Sequence, residues 1–220
     1  MPPPPFENVL VLTGPTASGK TQLGIELAQR LDAEIVSTPD LLESAPRAQQ
    51  VHVALALEDY TPQPVRETPR LVLHAPTNRL IKGTRHIEAA FEQLRPRFPD
   101  VEFRTVEKLP WRELQQVMRE CDVFVDQTFM GWYGMVSVEA MALERPALAY
   151  LRPDFEARAQ GCPLVRITVD TLADELASLL EDTPRRRALG EAGRAWVERE
   201  HEAHVIARRL VALYQRIGAA

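Results

Sequence analysis

Cysteine is nearly absent: Cys121 and Cys162 are the only two in 220 residues. That excludes a disulfide-stapled scaffold and a four-thiolate zinc site, so both read as isolated buried thiols in a reducing compartment. Long apolar runs are missing as well. No stretch approaches the roughly 18 consecutive apolar residues of a membrane span, and Met1 to Phe6 is a proline run without the basic and apolar regions of a leader. There is no surplus of positive charge either, since 26 Lys plus Arg stand against 31 Asp plus Glu for a net charge of -5. A general nucleic-acid coat competes for phosphates with excess cations, so that role is disfavoured. The expectation is a soluble, cytoplasmic protein.

What is present is ordinary globular material, 45% apolar, in a length that at about 150 residues per domain allows one large core and a small appendage. Residues 1–7 read as a flexible proline-rich end. Within 8–37, an apolar strand (Asn8 to Thr13), an amphipathic helix (Thr21 to Leu31) and a second strand (Ala33 to Ser37) form one unit. Residues 38–69, carrying five prolines, read as a connector with one short helix and one strand.

From 70 to 218 the alternation becomes regular. Strands are expected at 71–74, 101–106, 123–126 and 147–151, separated by helices at 84–94, 110–120 and 134–143, with a helical tail over 171–218. Only a crossover helix returns the chain to the same sheet edge, so the fold class is α/β with a doubly wound parallel sheet. Thr183 is the expected N-cap after a break at Asp182, with Pro184 in the first turn, and Arg185, Arg186 and Arg187 read as a solvated face.

Two constellations carry chemistry. The first, Gly14-Pro15-Thr16-Ala17-Ser18-Gly19-Lys20-Thr21, follows a strand and opens a helix. Its backbone amides would converge on a phosphate at the helix's positive end, with Gly14, Ser18 and Gly19 shaping the loop, Lys20 reaching the phosphates and Thr21 holding Mg²⁺. Asp122 and Asp126 flank a later apolar strand as a second Mg²⁺ acid might, yet they fit the other constellation better. Without such an acid the loop binds a nucleotide but positions nothing for transfer.

The second constellation lies beyond residue 70. Arg79 and Lys82 occupy the loop after one strand; Gly134, Met135 and Val136 open a helix after another; Glu139 follows on that helix. In an open parallel sheet such loops meet at the topological switch point, where cations and helix amides receive a diphosphate and a carboxylate accepts sugar hydroxyls. His74 is expected to line this cleft. Trp132 and Tyr133, beside glycines, read more readily as core cover than as stacking platforms, and Trp111 and Trp196 as core. His52, His86, His201 and His204 have no assigned role.

Two resemblances follow from these segments. VLTGPTASGKT with LDAEIVS resembles the opening of the tRNA dimethylallyltransferase family, which implies dimethylallyl diphosphate, Mg²⁺ and tRNA as ligands. That family's general-base Asp comes at once after its second strand, whereas here Thr38-Pro39-Asp40 intervenes, so the role does not carry over to Asp40. STPDLLE, HAPTNRLIKGT and VDQTFMGWYGMVSVEAMALERPALAYLR resemble the C-terminal, donor-binding half of GT-B glycosyltransferases of family four. By that similarity 70–218 is a Rossmann-like domain for a nucleoside diphosphate sugar, needing no cofactor. Arg79 and Lys82 would bind the diphosphate, the amides near Met135 and Val136 phosphate or ribose, and Glu139 the ribose hydroxyls. Many members place another Glu where this chain has Gly131, and the acceptor-binding half has no counterpart here. The expected function is transfer of a sugar from such a donor; the alternatives are a P-loop prenyl transferase or a non-catalytic nucleotide-binding fusion.

Overall fold

The computed structural model describes residues 35–218 except 45, 47 and 160, so Gly14, Ser18, Gly19, Lys20 and Thr21 lie outside the described residues. Two compact units divide the chain, 55–202 and the remainder. In the remainder, β1 (Ile35–Val36) and β2 (Gln49–Gln50) pair in parallel, with a 3-10 turn at Pro39–Glu43 between them. The terminal helix Ala203–Gly218 belongs to the same unit.

The larger unit runs β3 (Leu71–His74), α1 (Arg79–Lys82), α2 (Thr84–Leu94), β4 (Glu102–Thr105), α3 (Trp111–Glu120), β5 (Val123–Gln127), α4 (Met135–Ala142), β6 (Ala147–Ala149), β7 (Val165–Arg166), α5 (Leu172–Glu181) and α6 (Thr183–Glu200). Its five strands are all parallel in the order β4-β3-β5-β6-β7. This is the expected α/β class with a doubly wound sheet. β7 and the four-residue α1 are additions; both are too short for a periodic signal.

Alternation along each strand divides the core. Leu71, Leu73, Phe124, Ala147 and Ala149 face one cluster, which holds Met118, Val138, Met141 and Trp196; Val72, Val123, Val125 and Leu148 face the other, which holds Ile87, Phe91, Leu172 and Leu176. Both faces are buried because helices cover both, α3, α4 and α6 on one side and α2 and α5 on the other. Each fully buried Leu or Phe contributes roughly 1.5–3 kcal/mol. The two thiols sit in this interior, and burial pushes each up to about 12.

Three local expectations are corrected. Asp182, not Thr183, caps α6 by accepting from Arg185 N (2.8 Å), while the Thr183 hydroxyl donates to the Glu67 carbonyl. Arg186 is no solvated residue: it is fully buried and donates to the carbonyls of Leu179, Leu180, Arg66 and Glu67, closing the end of α5. Trp111 is 48% exposed at the start of α3, whereas Trp196 is buried as expected. The α3 pattern has its apolar stripe at Leu114, Val117 and Met118, which leaves Trp111 at the rim.

Candidate functional site

The chain passes from β3 to β4 on one side and then returns to place β5 on the other side of β3. The connections leaving β3 and β5 therefore diverge, and the crevice between them is the switch point of this sheet.

On the β3 side, Asn78 caps α1 by accepting from Leu80 N (3.0 Å) and Ile81 N (3.2 Å). The cap fixes a single helical turn on which Arg79 and Lys82 are three apart. Left-handed Gly83 (φ 68°) ends that turn and begins α2. The two cations have different surroundings. Arg79 is half exposed and donates to Glu107 (2.8 Å) and Glu88 (2.5 Å), which raise it further above its ordinary value. Lys82 is buried, and its ammonium pairs with Asp126.

On the β5 side the strand carries a register shift against β6: Val125 pairs with Leu148 and Gln127 with Ala149, so Asp126 is an extra residue without a counterpart. Such a bulge re-aims its side chain. The Asp126 carboxylate accepts from Lys82 Nζ, Gly134 N (2.7 Å) and Ser137 Oγ (2.7 Å), and so caps the start of α4. Gly134 has ordinary extended backbone but no room for a side chain: a Cβ there would lie 2.9 Å from Lys82 Nζ and 2.9 Å from Asp126 Oδ2. Met135 and Val136 occupy the first two helical positions, where amides have no intrahelical acceptor.

Glu139 lies one turn further along α4. Burial raises its carboxyl above the ordinary value, opposed by the Tyr60 hydroxyl and the Trp111 indole N–H, which favour its charged form. Tyr60 is buried, and burial foremost, then the Glu139 charge, moves its hydroxyl upward. Its carbonyl is held by Arg194 Nη1 (2.8 Å), which also donates to the Ala142 carbonyl. Trp111 opens the helix after β4, so this second group also lies at the carboxyl edge of the sheet.

The structure thus joins Lys82 and Gly134 through the Asp126 carboxylate, engages Arg79 with two acids, and sets Glu139 opposite Tyr60 and Trp111. His74 does not line the cleft: it is fully buried beneath it, Nδ1 donating to the Val125 carbonyl (2.8 Å) and Nε2 accepting from the Thr84 hydroxyl (2.9 Å). Burial lowers its basicity. Trp132 and Tyr133 are buried against each other and against Phe155 and Trp196, so they cover the core. At Gly131 the backbone is left-handed (φ 75°), and a Cβ would come within 2.7 Å of the Arg152 side chain; a Glu here would be strained and displaced.

Sequence reasoning missed Ser137 and Tyr60, and it grouped Asp126 with this constellation in preference to a metal site but gave it no role. An acid ending a buried strand, eleven residues before a serine in the next helix, was the available signal. An open depression of about 470 Å³ lined by Arg97, Ser178, Glu181 and Asp182 lies where α5 ends, at the opposite edge of the sheet; Arg97 pairs there with Glu181 (2.6 Å). Among the described residues no group of His, Cys, Asp and Glu is arranged to hold a metal, and no helix is long and apolar enough to cross a membrane.

No family model matches the chain. A tRNA dimethylallyltransferase from Geotalea uraniireducens is 73% identical over 30 residues, which are 14% of this chain and 10% of that protein. A GDP-mannose-dependent monoacylated alpha-(1-6)-phosphatidylinositol monomannoside mannosyltransferase from Corynebacterium glutamicum is 36% identical over 85 residues, 37% of this chain and 22% of that protein. The matches therefore span about a tenth and about a fifth of these relatives' lengths. Among solved structures, Anabaena HepE in complex with UDP-glucose superposes with a TM-score of 0.68 at 15% identity, covering 91% of this chain and 68% of that one. At this identity the likeness establishes the fold alone, a Rossmann-like α/β lobe of the GT-B type.

Proposed function

We propose that the 55–202 unit binds a nucleoside diphosphate sugar and serves as the donor lobe of a sugar transferase. The carrying observation is the meeting of Lys82 with the first turn of α4 across the switch point, which sets a cation beside helix-start amides. In this reading Arg79 and Lys82 neutralise the diphosphate and offset the charge that develops as it departs from the sugar. Gly134, Met135 and Val136 supply the close-approaching backbone, and Glu139 accepts the ribose hydroxyls. The complex of HepE with UDP-glucose and the GDP-mannose dependence of the mannosyltransferase support this class of donor. The acceptor has to come from a second surface that closes on this edge and excludes water.

Calorimetry with UDP, GDP and their sugars tests the assignment: Lys82→Ala and Glu139→Ala are each expected to weaken binding at least about tenfold, the loss of one good charged hydrogen bond. Unchanged affinity in the double variant would remove the site. The 30-residue match to the prenyltransferase favours a second, separate reading for the N-terminal segment, Mg²⁺-dependent diphosphate binding through Gly14 to Thr21, with dimethylallyl diphosphate and tRNA as the corresponding ligands. Its test is Lys20→Ala, which should abolish that binding and leave UDP binding intact.

A further inference from the structure

Resting on the donor-lobe reading, we propose that Asp126 is a positioning residue for Lys82: it fixes the ammonium against the start of α4, where the donor diphosphate arrives. The bulge in β5 makes Asp126 the residue without a ladder partner and frees its side chain to span the crevice. There it collects donors from both walls, the Lys82 ammonium from the β3 side and the Gly134 amide and Ser137 hydroxyl from the β5 side. The walls are tied a second time, since Thr128 N donates to the Lys82 carbonyl (3.1 Å). The missing side chain of Gly134 lets helix, ammonium and carboxylate approach this closely.

A buried ammonium is held in place only where an anion is fixed beside it. The other charged or titratable groups around it are Arg79 on its own turn, His74 beneath it on β3, Glu88 on α2 and Glu139 on α4. Arg79 repels the ammonium, neutral His74 offers it no charge, and Glu88 is occupied by Arg79. Glu139 faces Tyr60 and Trp111. Asp126 alone among them contacts the ammonium.

The experiment is UDP calorimetry on the full chain, comparing wild type, Asp126→Asn and Lys82→Met. Asp126→Asn, which keeps the side-chain shape but loses the ion pair that holds the ammonium in place, is expected to lose affinity by about tenfold. Lys82→Met is expected to bind weakly. If Lys82→Met is weak but Asp126→Asn binds UDP like wild type, the positioning role is wrong and the donor site stands. If Lys82→Met binds UDP like wild type, the donor-site reading fails and the proposal with it.

A measurement on the intact wild type guards against misfolding of the variant. Lys20, Lys82 and Lys108 are the only lysines in the chain, so pulse acetylation read by mass spectrometry resolves each one. Lys82 should label far more slowly than Lys108, and Gly134→Ala, whose methyl intrudes on the pair, should raise its rate severalfold. Labelling of Lys82 at the Lys108 rate in wild type, or no change in Gly134→Ala, would overturn the proposal.

Discussion

Removing the Lys82 ammonium tests whether the crevice is held by one coupled cluster. The Asp126 side chain is 1% exposed and that of Lys82 6%, so Lys82→Met leaves a buried carboxylate without its counter-ion. Breaking a buried pair from one side costs about 3–5 kcal/mol. Two donors stay in place at 2.7 Å and the helix start still favours the anion, so the lower end, about 3 kcal/mol, is expected. Asp126→Asn strands the ammonium instead and loses the charge assistance of both remaining bonds, for a similar cost. The double variant Lys82→Met with Asp126→Asn buries no net charge, and its loss should fall short of the sum by at least about 1.5 kcal/mol. Urea unfolding measures all four chains, with midpoints shifting by about 1 M or more in each single variant. Additive losses would refute the reasoning, because they would mean that the two groups do not interact in solution.

Other expectations follow from the same contacts. Gly131→Glu should destabilise by about 1–3 kcal/mol through left-handed strain and displacement of Arg152, and should not tighten sugar-nucleotide binding; urea midpoints and calorimetry check it. Arg79→Gln should leave the midpoint unchanged and weaken UDP severalfold, whereas Glu107→Gln, which releases a competitor for the guanidinium, should strengthen it. Of the three tryptophans only Trp111 is exposed, so UDP binding should reduce acrylamide quenching of the fluorescence, an effect that Trp111→Phe abolishes. His74 is less basic folded than unfolded, so the unfolded chain takes up its proton first. Its stability contribution is complete above the ordinary histidine range of about 6.5 and is lost as pH falls through that value toward the lower folded one, with a slope limited to about 1.4 kcal/mol per unit. His74→Asn should flatten that arm of the urea-midpoint profile.

The strand and helix succession after residue 70 was legible because each strand is a short apolar run and each helix keeps a stripe at three- and four-residue spacing. Arg79, Lys82, Gly134 and Glu139 were legible as residue types placed just after strands. What escaped reading depends on geometry that no spacing encodes. A bulge shifts Asp126 from an ordinary strand-end acid to the centre of the crevice, and only pairing with β6 reveals it. Arg186 looks like one of three surface cations, but two carbonyls at the end of α5 and two in the loop before β3 draw it inside. His74 sits at the right strand end for the cleft, yet Val125 and Thr84 satisfy both ring nitrogens below it.

These particulars bear on how a chain of net charge -5 would attract a doubly charged diphosphate. Each cation at the crevice is already matched by acid: Lys82 by Asp126, Arg79 by Glu88 and Glu107. Long-range steering is therefore weak, and recognition has to come from short-range contacts with fixed donors. Exposed interactions fade over a Debye length of about 8–10 Å, whereas buried pairs and helix-start amides are screened much less. UDP affinity should accordingly fall only modestly between about 0.05 and 0.5 M NaCl, with the Arg79 contribution lost first because that residue is exposed. Calorimetry across that series, on wild type and on Arg79→Gln, separates the two contributions. A wild-type decline of about a hundredfold, persisting in Arg79→Gln, would show that diffuse surface charge and not the preset cluster holds the nucleotide.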